Sequence, residues 1–66
     1  MNAAKYLVSM KFPTMIDLRD FESYAELKDH EVDEEKMYIT APLTIQEIEF
    51  AKSAFHGQIA KVFQQS

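Results

Sequence analysis

The chain has 66 residues, 47% of them apolar, with one glycine, two prolines, no cysteine and a formal net charge of −4. A chain of that size makes one domain, residues 1–66, near the lower limit at which a single apolar core holds a fold unaided. The composition excludes a disulfide framework, a thiolate metal centre, a glycine-rich phosphate loop and a flexible linker, and no stretch approaches the roughly 20 apolar residues of a membrane span.

The opening MNAAKYLVSMKF carries lysines inside its apolar run, so it does not read as a signal peptide, and a cytoplasmic setting is expected (the host cytoplasm, were the chain viral). Within it KYLVSMKF alternates Tyr6, Val8, Met10 and Phe12 against Lys5, Leu7, Ser9 and Lys11, the period-2 pattern of a half-buried strand that Pro13 ends. The next stretch, TMIDLRDFESYAELKDH, places Leu18, Phe21, Tyr24, Ala25 and Lys28 on one helical stripe, with acids in the early turns where the helix dipole favours them. Phe21, Ser23, Ala25 and Leu27 also alternate as a strand would, so the segment is open to both readings, with helix preferred. Lys36–Ala41, KMYITA, alternates again and is rich in β-branched and aromatic residues, as a strand closed by Pro42.

The strongest local signal lies in PLTIQEIEF. Thr44 followed by Glu47 is a capping box, and Leu43 with Ile48 is a hydrophobic staple around the same helix start. Continued to the end of the chain at about 100° per residue, the pattern gathers Ile45, Ile48, Phe55, Ile59, Val62 and Phe63 on one face. The expected architecture is therefore α+β, a small α/β sandwich in the order β-α-β-α. It would have a two-stranded sheet per chain and a long C-terminal helix packed on it. The alternative is a three-stranded antiparallel meander followed by that helix. Two strands covered on one face make a poor free-standing domain, so a homodimer is expected.

The charge is unevenly spread. Asp17, Asp20, Glu22, Glu26, Asp29, Glu31, Asp33, Glu34 and Glu35 face only Arg19 and Lys28 in their own segment, a local balance of −7 against +3 elsewhere. Phosphates need basic neutralisation, so this middle segment is not expected to bind nucleic acid directly; a basic protein surface would attract it. Asp29, Glu31 and Asp33 have the spacing of the first ligands of a calcium loop. The pattern then breaks at Glu34, where that loop needs glycine, and at Thr40, where it needs a bidentate glutamate. His30 and His56 are too far apart in sequence for a diagnostic zinc spacing, so neither a metal nor a cofactor is expected. Ser9, Ser23, Ser53 and Ser66 have no recognisable base or nucleophile elbow beside them, so no catalytic residue is assigned and an enzyme is not expected.

Read as a helix, the final segment also has a second face. Phe50 lies about 140° from Ile45 on the wheel, with Ala54, Gly57 and Lys61 near it, and a glycine inside a helix asks for a reason such as the close approach of another helix. The functional expectation is a small acidic interaction module of inhibitor type. It would bind and occlude a basic surface of a larger protein, in the manner of viral proteins directed against host defence or of antitoxins; the alternative is a homodimeric structural or assembly subunit.

Overall fold

A computed structural model describes residues 4–63. The elements follow the order β1 (Tyr6–Lys11), α1 (Met15–Ala25), β2 (Glu31–Asp33), β3 (Tyr38–Leu43), α2 (Ile45–Ala54) and β4 (Gln58–Val62). The strands form one sheet in the order β2-β3-β1-β4, with every neighbouring pair antiparallel. This β-α-β-β-α-β succession with interleaved strands is the split β-α-β arrangement.

Alternation decides which sheet face is buried. Val8 and Met10 on β1 stand beside Ala41 and Ile39 on β3, and all four are shielded from solvent. Leu18 and Phe21 from α1 and Ile48 and Ala51 from α2 join the same cluster, so both helices lie on one side of the sheet. Phe12, just beyond β1, stacks on Phe21 with ring centroids 5.5 Å apart, joining sheet to helix. Among the described residues no helix lies on the opposite sheet face.

Local chemistry sets the helix ends. Thr14 caps α1 by accepting from the Asp17 amide, and Asp17 sits in the first turn where the dipole favours a carboxylate. At the other end Glu26 adopts a left-handed conformation, φ 52°. Its amide donates to Ser23 O and the Leu27 amide to Glu22 O, the two bonds of a Schellman motif, while Leu27 folds back on the core. The capping box of α2 is present in both directions, Glu47 N to Thr44 Oγ1 at 3.1 Å and Thr44 N to Glu47 Oε1 at 2.8 Å. Leu43 and Ile48, the staple residues, are both buried.

Two expectations fail here. The sheet has four strands rather than two, and beyond Ala54 the helix does not continue: Gln58–Val62 is a strand. After α2, His56 turns left-handed at φ 60°, and the Phe55 and Gly57 amides both donate to Ala51 O, which closes the helix. Residues 58–62 then supply the backbone partners for the second edge of β1, with a bulge at Ala60. Ile59 and Val62, expected under the helix stripe, are exposed on this edge strand, as is Ile45 at the start of α2. The meander alternative comes close only in giving an antiparallel sheet of more than two strands: the alternation of Phe21, Ser23, Ala25 and Leu27 that supplied its middle strand falls in α1 and the turn after it, the strand before β3 is Glu31–Asp33, and the last element is β4 rather than a helix. The ambiguous segment is helical from Met15 to Ala25, with Tyr24 exposed rather than in the core stripe.

Among the described residues no helix is long and apolar enough to cross a membrane.

Candidate interaction surface

The acidic run DHEVDEEK is not a loop. Glu31–Asp33 forms β2, pairing Glu31 with Thr40, Val32 with Ile39 and Asp33 with Tyr38. Val32 therefore turns toward the core, while Glu31 and Asp33 stand on the sheet face that no helix covers. The tight return to β3 uses the Asp33 carboxylate as acceptor for the Lys36 amide and a left-handed Met37, φ 60°.

α1 lies against this hairpin through a charged cluster. Arg19 donates from Nη1 to Glu22 Oε1 at 3.0 Å and from Nη2 to Glu34 Oε2 at 2.8 Å, so one guanidinium spans the helix and the hairpin turn. The other oxygen of Glu22 meets His30 Nε2 at 2.5 Å, just before β2 begins. The His30 hydrogen bond first, then the Arg19 hydrogen bond and charge, hold the Glu22 carboxyl below its ordinary value despite the opposing effect of burial. Arg19 moves the opposite way, raised chiefly by Glu22. The other ring nitrogen of His30, Nδ1, is buried without a hydrogen-bond partner among the described residues.

These bridges tie α1 to the residue before β2 and to the hairpin turn through Glu22 and Glu34, while Glu31 and Asp33 stand on the sheet face away from the helix. Asp17, Asp20, Glu26, Asp29, Glu31, Asp33 and Glu35 have no basic side chain paired with them among the described residues. Nor does any group of three or more His, Asp or Glu converge as metal ligands would, again among the described residues.

The second group read from the sequence is not brought together. Phe50 and Ala54 are on α2, but Gly57 lies beyond the helix and is buried, and Lys61 is on β4. Gly57 has its reason inside the fold: an added Cβ would stand 3.0 Å from Phe12 Cε2 and 3.2 Å from Ala51 O. Phe50 has an intramolecular partner, the Tyr24 ring on α1 at 4.2 Å between centroids, with Phe55 edge-on to Phe50 at 5.5 Å. This half-exposed aromatic pair is invisible in either helix alone, since it exists only once α1 and α2 lie side by side.

The open sheet face, on which the alternation of the first strand already placed Leu7, Ser9 and Lys11, carries a groove of about 510 Å³ between Leu7, Asp29, His30, Glu31, Thr40 and Phe63 that the sequence does not reveal. Thr40, in its lining, shares a 2.6 Å hydrogen bond with the buried Ser9.

No family model, curated protein or solved structure matches the chain, so the functional reading rests on these residues.

Proposed function

We propose that this chain is a non-catalytic interaction module whose acidic side docks on, and occludes, a basic surface of a larger protein. The observation that supports this is the set of carboxylates on α1, β2 and their connections that have no basic partner among the described residues, beside the Arg19 and His30 bridges that tie the helix to the hairpin. Clustered like charges repel one another, and an oppositely charged surface relieves that repulsion while steering encounter. Arg19 gives the patch fixed geometry rather than much energy, since a half-exposed guanidinium pair is screened by solvent.

The test is capture of a partner by the immobilised protein at low and high salt, repeated with the D20K/E26K/E35K variant. These positions are exposed, outside the core, and take no part in the Arg19 bridges. Binding that weakens strongly toward 1 M salt, where the Debye length is about 3 Å, and that disappears in the variant, supports docking by charge. A partner retained equally by both proteins at both salt concentrations rules it out. The alternative role as a self-associating structural subunit draws its support from the uncovered sheet face.

A further inference from the structure

Strand register aligns the residues of the open face in rows. Glu31 pairs with Thr40, Thr40 with Ser9, and Ser9 with Lys61, so a single row crosses the sheet from an acid on one edge strand to a base on the other. The next row runs Asp33, Tyr38, Lys11, Gln58. A third holds Pro42 beside Leu7, with the Phe63 amide bonded to Leu7 O. Glu31, Asp33, Lys11 and Lys61 have no ion pair among the described residues. The face is thus acidic along β2, basic along β1 and β4, and apolar in the Leu7 row, where Leu7 itself is 40% exposed.

We propose that this face is a homodimer interface, two copies stacking sheet on sheet about a two-fold axis that runs parallel to the strands between β1 and β3. Such an axis keeps each row at its own level and exchanges its ends. Glu31 then lies over Lys61 of the second copy, and Lys61 over its Glu31. In the next row Lys11 meets the ring of Tyr38 of the second copy, and Leu7 meets its Pro42. Phe63 of each copy comes over the other's groove beside Asp29 and His30. Sheets pack about 10 Å apart, a gap that a glutamate and a lysine reaching from opposite sides span. A two-fold axis lying in the interface across the strands would instead set the acidic strand over its own copy, and like charges oppose that. Covering the centre leaves no polar group stranded, because Ser9 and Thr40 already satisfy each other.

Four strands about 4.8 Å apart, three of them five or six residues long and β2 only three, give a footprint at most about 20 Å on a side, smaller than a standard stable interface. The dimer is therefore weak, with dissociation in the micromolar range or above, and sensitive to salt.

The test is sedimentation equilibrium over protein concentration at low and high salt, for the wild type, E31K, K61E and E31K/K61E, with melting curves to confirm that each folds. The wild type should dimerise, and more weakly as salt rises. Either single reversal should raise the dissociation constant by roughly tenfold, and the double reversal should restore it, because the contact is reciprocal. A wild type that stays monomeric to about 1 mM at low salt overturns the proposal. So does a dimer indifferent to salt and to both reversals, which would belong to another surface, or a double reversal no better than the singles. Asp20, Glu26 and Glu35 take no part here, so this result and the capture experiment fail independently.

Discussion

Glu22 Oε2 and His30 Nε2 stand 2.5 Å apart, joining the inner side of α1 to the residue that leads into β2, while the second Glu22 oxygen holds Arg19. One half-buried carboxylate therefore sets how the acidic hairpin sits against the helix, and its protonation is coupled to that arrangement.

Because the folded state lowers the Glu22 carboxyl from its ordinary value of 4.5, ionised Glu22 favours folding above that value, and the contribution is lost as pH falls through the lower folded value. Urea midpoints between pH 6 and pH 2 should fall less steeply for E22Q than for the wild type across this acid limb. Parallel curves would mean that the His30 and Arg19 contacts add nothing to stability.

Gly57→Ala separates two accounts of the same residue. A glycine within a helix gains about 1 kcal/mol on becoming alanine. In the structure the new methyl meets the Phe12 ring at 3.0 Å, the Ala51 carbonyl at 3.2 Å and Met10 Cε at 3.3 Å. The expected result is a loss of about 1–3 kcal/mol, measured by chemical denaturation, and a gain would contradict the packing described.

Glu26 ends α1 in a left-handed conformation at φ 52° that an L side chain adopts at a cost. Glu26→Gly relieves that strain and keeps both Schellman bonds. Allowing for the greater freedom of glycine in the unfolded chain, stability should rise by about 0.5–1 kcal/mol, seen as a higher melting temperature.

The Tyr24–Phe50 stack is tested by a double-mutant cycle. Tyr24→Ala, Phe50→Ala and the pair together should show a coupling of about 0.5–1.5 kcal/mol in unfolding free energy, the range for stacked aromatic rings. Additive losses would indicate that the rings stabilise the fold separately, leaving Phe50 free to act as an external anchor.

What the sequence determined by itself is local. Thr44 and Glu47 cap a helix through atoms three residues apart, and Tyr6 to Phe12 alternate because successive side chains leave a strand on opposite sides, so these features need no distant partner. The crowding of acids between Asp17 and Glu35 is equally plain in one dimension. Tertiary structure decided the rest. Ile59, Val62 and Phe63 fit a helical repeat as well as a strand, and residues 58–62 became a strand when α2 closed at His56 and the vacant edge of β1 offered backbone partners about fifty positions earlier in the chain. Glu31 and Asp33 became a strand by pairing with Thr40 and Tyr38, against their own weak propensity for one. The alignment of Glu31 with Lys61 across four strands depends on three registers at once, and hydrogen bonds between segments, rather than any neighbour in sequence, set each of them.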